Sequence, residues 1–495
     1  MDTEQIKTEN SGTKNRKGFA FNTLTLAGSN TIAQVISILA SIVLARLYSP
    51  AEMGIYSTYF SILAVLTVIS TLQYESAIVL SEDERDASNV TALCILVLLG
   101  LAAVCAVLIT PLRAVFASLL KEEELGLWLL LMPVSLIITG LTNIFTFTSI
   151  RKNNMLIVAV TTLLAGLLGA VFQIFFGLDS FHVFGGMILG HITGRGIATL
   201  ILFFQCKKSR VLTEKADRSG IKDMAVRYKR FPLYLVPSVF LDNLGSSAPN
   251  LLLSGFFGST VAGYYSLSYR LLSMPITVIG TSLGQAFLPK AVEAKSEGKL
   301  PQSAENIFAA LLRIGTTPIL LVALVAPELI SIVFGEEWYA SGEYVQWLCP
   351  WLLFLFLYSP LSNLFIVIEK QKQFMFFNGA VLVVRLLSLT VGGLIGSDYT
   401  AIALCGISGA AISLVGCIYV LRLSGVSAGA SFTALIKQVF RTLPFMVPTL
   451  IVQLLGYKGW ISAAAAVLSG CVFLLVEGRA ILALLKKQNT SEDSE

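Results

Sequence analysis

Residues 48–60 read YSPAEMGIYSTYF, and residues 257–269 read FGSTVAGYYSLSY. Tyr48, Gly54, Tyr56, Ser57 and Phe60 recur without a gap, 209 positions later, as Phe257, Gly263, Tyr265, Ser266 and Tyr269. The same shift pairs Gln34, Ser37 and Ser41 in the preceding segment with Asn243, Ser246 and Asn250. Their i, i+3, i+7 spacing lays each set along one face of a helix as a polar stripe. A looser echo joins Pro133, Asn143, Phe145 and Arg151-Lys152 to Pro350, Asn363, Phe365 and Lys370–Lys372. The simplest account is a duplicated unit.

Composition says what the unit is made for. The 495 residues are 55% hydrophobic and 13% charged, with a mean hydropathy of +0.78, and soluble domains carry about twice that share of charge. Apolar runs recur at lengths near the ~20 residues that span a bilayer. The chain reads as an all-α polytopic membrane protein with fourteen transmembrane helices. Starting from a cytoplasmic N-terminus, 27 Lys/Arg fall in inner segments and four (Arg46, Arg113, Lys121, Lys458) in outer ones. The positive-inside rule thus supports the count and the orientation together. The expected organisation is a disordered cytoplasmic tail at 1–20, an N-lobe of six spans at 21–205, a basic cytoplasmic linker at 206–230 and a C-lobe of six spans at 231–421. Two appended spans at 422–485 and a cytoplasmic tail at 486–495 complete it. Six spans per lobe is an even number, so both copies share one orientation and the repeat axis runs along the membrane normal. The first apolar run is too long for a signal-peptide core.

Four arginines, Arg195, Arg270, Arg313 and Arg385, sit inside otherwise apolar spans. A charge there costs from about 2.5 to above 10 kcal/mol, so it is seldom kept without a task. They are assigned to a cationic, water-filled interior that accepts an anionic cargo. The competing reading is snorkelling, or a structural ion pair with Asp242, the most central carboxylate by sequence. Asn30, Gln34, Asn243 and Asn250 are the polar groups expected to face the cargo. His191 lies one turn from Arg195, and it and Asp242 are the candidates for ion coupling. Gly186, Gly190 and Gly194 form a small-residue strip suited to close helix packing. Seven scattered cysteines form no C-x-x-C pair, and no catalytic constellation, metal-ligand cluster or phosphate-binding loop stands out. The basic linker is a topology-setting segment or a lipid-headgroup patch, with nothing to suggest a nucleic-acid reader.

The run from Leu47 to Tyr56 resembles the first outer loop of bacterial polysaccharide and O-antigen flippases of the Wzx type. Similar resemblances lie in Tyr74–Leu80 with the acidic Glu82-Asp83-Glu84, in Gly263-Tyr264-Tyr265 and Tyr269-Arg270-Leu271-Leu272, in Phe287-Leu288-Pro289, and in Ala326–Leu329 with Phe334–Trp338. The resemblance implies the multidrug/oligosaccharidyl-lipid/polysaccharide exporter superfamily, with two six-helix lobes in a V and two peripheral helices. It further implies a non-enzymatic flippase in the bacterial inner membrane that moves undecaprenyl-pyrophosphate-linked oligosaccharide outward by alternating access. Membrane lipids, a polysaccharide polymerase and chain-length machinery are the partners it suggests. No cofactor is called for; the membrane potential, protons or sodium ions would supply the drive. Of the four arginines, only Arg270 lies in a family-like motif. The alternatives are a peptidoglycan-precursor flippase or drug exporter of the same superfamily, and a membrane polymerase or ligase.

Overall fold

The computed structural model describes residues 28, 31–178, 181, 183–208, 216–276, 280–457 and 459–487. Asn30, the N-terminal tail and most of the C-terminal tail lie outside the described residues. Among those described, every regular element is helical. Eleven helices are long and apolar enough to cross a membrane, so the expected fourteen are not all met on that criterion. The three that fall short correspond to the first, seventh and eighth predicted spans. The seventh carries one of the polar stripes of the repeat, which lowers its mean hydropathy; the first and eighth each have 17 described helical residues.

By packing, the chain divides into two compact units, one ending at Ala262 and one starting at Gly263. The first contains α1 (Thr31–Leu47), α2 (Pro50–Ser70), α3 (Glu75–Leu80), α4 (Glu84–Leu119), α5 (Glu123–Trp128), α6 (Met132–Arg151), α7 (Met155–Gly177), α8 (Gly186–Lys208), α9 (Arg218–Arg227) and α10 (Val236–Phe257). The repeated stretch begins α2 for a local reason. Ser49 and Glu52 form a capping box, in which the Ser49 amide donates to Glu52 Oε2 at 3.0 Å and the Glu52 amide to Ser49 Oγ at 3.4 Å. Pro50 occupies the first turn, where its missing N–H is not needed. The 36 residues of α4 span about 54 Å, well beyond a hydrocarbon core, and α9 packs against this helix. Along α4, exposed Leu96, Leu99, Val104 and Val107 suit contact with lipid.

The core of this unit centres on Tyr59, Ile78, Leu98, Leu129, Met132 and Leu136, all buried. The glycine strip packs as expected: a Cβ on Gly194 would lie 2.3 Å from the Gly169 amide nitrogen of α7, and one on Gly190 would lie 2.4 Å from that of Gln173. The packing boundary at Ala262 falls later than the sequence-based lobe boundary near 231, because α10 packs on α2. Packing units and repeat halves are therefore different divisions of the chain.

The second unit holds most of α11 (Ser259–Pro275), then α12 (Thr281–Ser296), α13 (Leu300–Leu324), α14 (Ala326–Phe334), α15 (Tyr339–Leu361), α16 (Leu364–Val367), α17 (Gln371–Ile395), α18 (Asp398–Leu423), α19 (Ala428–Leu454) and α20 (Trp460–Lys487). Its hub is α15, which packs on α13, α14 and α18. Close approach to α18 is again made by glycine: a Cβ on Gly406 would meet the Trp347 carbonyl at 2.0 Å, and one on Gly409 the Trp351 ring at 2.6 Å. Phe308, Leu311, Phe356, Leu357, Leu361 and Phe365 fill the core beneath.

Candidate functional site

Within the first unit, α2 and α8 bring Tyr56, Phe60, His191 and Arg195 together. The Tyr56 hydroxyl lies 3.4 Å from His191 Nδ1, and the His191 ring packs 4.2 Å from the Phe60 ring, centroid to centroid. His191 Nε2 and Arg195 Nε are buried and make no hydrogen bond among the described residues. Both point of contact and spacing follow from helix geometry: His191 and Arg195 are i, i+4 on α8, and Tyr56 and Phe60 are i, i+4 on α2. On α10, the Asn250 amide donates to Ser61 Oγ of α2 at 3.3 Å, whereas Asn243 donates to the Val239 carbonyl of its own helix at 2.9 Å. Asp242 is exposed, and Gln34 on α1 is half-buried.

Within the second unit, Arg385 of α17 is held by three aromatic residues. Its Nη2 donates to the Tyr265 hydroxyl at 3.0 Å. Its guanidinium carbon lies 4.6 Å from the Trp351 ring centroid and 5.5 Å from that of Tyr269. Tyr269 in turn stacks on Tyr265 at 5.8 Å and on Trp351 at 6.0 Å. A planar cation over ring faces is attracted by the ring quadrupole, and more strongly where water is scarce. Tyr265 and Tyr269 are the repeat counterparts of Tyr56 and Phe60. One aromatic pair, used twice, contacts His191 in one unit and a cation in the other. Sequence reasoning found the pair as a repeat signature and missed its task. Trp351 escaped notice, since a tryptophan on an apolar helix reads as core.

Arg313 requires a correction. It is no open cavity group: on α13 its Nε donates to Glu477 Oε2 of α20 at 2.6 Å. The same carboxylate accepts from Arg441 of α19, Nε to Oε1 at 2.6 Å and Nη2 to Oε2 at 2.9 Å. This is the structural ion pair weighed in advance, but the acid is Glu477, not Asp242. Glu477 was overlooked because it sits near the inner end of the last span. Arg270 lies half-buried on α11, one position beyond Tyr269.

The arrangement therefore defines a membrane-spanning helical protein in which one guanidinium, that of Arg385, is anchored among the helices by aromatic rings and another, that of Arg313, by a carboxylate. The family model described as "Polysaccharide biosynthesis protein" matches residues 43–343, and the chain belongs to that family. Among curated proteins it is similar to the teichuronic acid biosynthesis protein TuaB of Bacillus subtilis (strain 168), at 23% identity over 185 residues, 37% of this chain and 38% of that one. It is also similar to the lipopolysaccharide biosynthesis protein WzxC of Escherichia coli (strain K12), at 22% identity over 209 residues, 42% of this chain and 41% of that one. The matched stretches span about two fifths of these relatives' lengths. Among solved structures, the lipid II flippase MurJ in an inward closed conformation superposes with a TM-score of 0.70 at 12% identity, covering 92% of this chain and 99% of that one. An inward-facing multidrug resistance MATE family transporter of the MOP superfamily gives a TM-score of 0.61 at 14% identity, covering 79% and 95%. At these identities the structures establish the fold alone: that of MOP superfamily transporters.

Proposed function

We propose that the protein is a flippase that carries an undecaprenyl-pyrophosphate-linked oligosaccharide from the inner to the outer leaflet of a bacterial inner membrane, for assembly of a surface polysaccharide. The observation that carries this reading is the joint occurrence of membership in the polysaccharide biosynthesis family and a transporter fold over 92% of the chain. Both termini are assigned to the cytoplasm by the positive-inside count. Arg385, Arg270 and Arg195 are the groups to receive pyrophosphate, because a planar guanidinium donates paired hydrogen bonds to phosphate oxygens. Gln34, Asn243, Asn250 and Asn30 are assigned to the sugar.

A dianionic headgroup leaving a negative interior gains about 2.3 kcal/mol per charge per 100 mV, so the membrane potential would bias export outward. Proton or sodium coupling through His191 or Asp242 would add to it. A polymerase and chain-length machinery would act on the product. The test is leaflet-resolved transport of a defined lipid-linked oligosaccharide in proteoliposomes, where wild-type protein is expected to move it and empty vesicles not. Glycosidic bond formation by the purified protein would refute the non-enzymatic reading.

A second reading, which rests on likeness of fold to MurJ alone, is export of the peptidoglycan lipid precursor. Deletion separates the two: under the first reading, lipid-linked oligosaccharide accumulates on the inner leaflet while cell-wall synthesis continues.

A further inference from the structure

The first copy of the repeat caps its own helix, and the second does not. At α2 the carboxylate comes from Glu52, three residues after Ser49. The residue 209 positions on from Glu52 is Val261, which has no carboxylate to offer α11. That role is filled from elsewhere in the chain: Glu122 Oε1 accepts from the Ser259 amide at the start of α11, at 2.9 Å. Its neighbour Lys121 donates from Nζ to the Phe256 carbonyl at the end of α10, at 2.7 Å.

Two residues of the three-residue corner between α4 and α5 thus grip both sides of the turn joining α10 to α11, with each charge matched to the helix end it meets. The turn lies against this corner at ordinary contact distance: a Cβ on Gly258, at φ +89°, would lie 3.6 Å from Glu122 Oε1, and one on Gly255 would lie 3.4 Å from the Leu119 carbonyl oxygen. Lys121 itself has φ +56°, in the left-handed region where glycine is preferred at the residue after a helix. Below this corner, α10 and α2 meet at Asn250 and Ser61, and Ser254, one turn from Asn250 on the same face of α10, is 0% exposed.

We propose that Lys121 and Glu122 form a latch that keeps the outer end of the α10–α11 turn closed against the ends of α4 and α5, and that its release accompanies outward opening in the transport cycle. The inference rests on the flippase reading for the meaning of the cycle and on the topology for the word outer. The latch itself is a set of contacts within the first unit.

The test uses the full-length protein carrying Ser254→Cys, with the parent as blank for its native thiols, and a membrane-impermeant maleimide applied to intact cells and to inverted vesicles. With the latch intact, position 254 is expected to label slowly from outside. Adding Glu122→Gln, which keeps an amide oxygen for the Ser259 N–H but removes the charge, or Lys121→Gly should raise that rate about tenfold, the change expected from losing one charge-assisted hydrogen bond. Lys121→Gly discriminates further. It relieves the left-handed backbone, so if the Lys121 side-chain contact contributes nothing to closure the corner becomes tighter and labels no faster. Unchanged rates in both variants, or acceleration confined to inverted vesicles, would overturn the latch. Labelling needs no cargo, so these outcomes are independent of whether lipid-linked oligosaccharide is transported.

Discussion

At Arg385 the expense of a charge inside the membrane is met by two tyrosines and a tryptophan, an arrangement that orients the guanidinium plane as well as stabilising it. Lysine would keep the charge and lose both the stacking and the fork of donors. Arg385→Ala and Arg270→Ala are therefore expected to abolish export without changing abundance, and Arg385→Lys to restore it only in part; surface polysaccharide measured beside an immunoblot of the membrane fraction checks this. Arg313 belongs to a different economy. One carboxylate serves two guanidiniums, so Glu477→Ala leaves two cations uncompensated whereas Arg313→Ala leaves Glu477 with Arg441. Thermal unfolding in detergent should show a loss of about 3–5 kcal/mol for Glu477→Ala and clearly less for Arg313→Ala.

Elements are held by equally specific contacts. The short α3 is capped at its C-terminal end by Arg151, whose Nη1 donates to the carbonyls of Ile78 and Ser81. At its other end Glu75 is 3% exposed and accepts from the Thr71 hydroxyl. Burial pushes the Glu75 carboxyl above its ordinary 4.5, with the Thr71 bond opposing. Folding thus favours the protonated form. Its stabilising contribution is full below the ordinary carboxylate range and is lost as pH rises through the raised value. Glu75→Gln should raise the unfolding temperature near neutral pH and flatten its pH dependence above the ordinary carboxylate range. The α7–α8 contact offers a steric counterpart. Gly194→Ala places a methyl group 2.3 Å from the Gly169 nitrogen, backbone that cannot rotate away, and should cost about 1–3 kcal/mol on the same assay.

For the whole molecule, orientation is the property most open to a direct check. A cysteine at Glu337 should react with an impermeant label in intact cells and one at Lys222 should not; the opposite pattern would invert the topology. The membrane class, the repeated residues and the close glycine packing of α8 were legible beforehand, because each depends on neighbours within a turn or two or on summed composition; the start of α2 at Pro50 was not, since its capping box lies in a stretch that reads as an outer loop. Which arginine meets which partner was not. Arg313 reaches an acid 164 residues away and Arg385 a phenol 120 residues away, distances over which sequence order carries no information about contact. By itself the sequence determined that this chain crosses a membrane many times, in two related halves, with cations buried along the way, since hydropathy and charge act residue by residue. Only the tertiary structure decided that one of those cations is neutralised by Glu477, that another rests on the repeat's own tyrosines, and that α11 takes its cap from Glu122, since each of these depends on which helices the packing sets side by side.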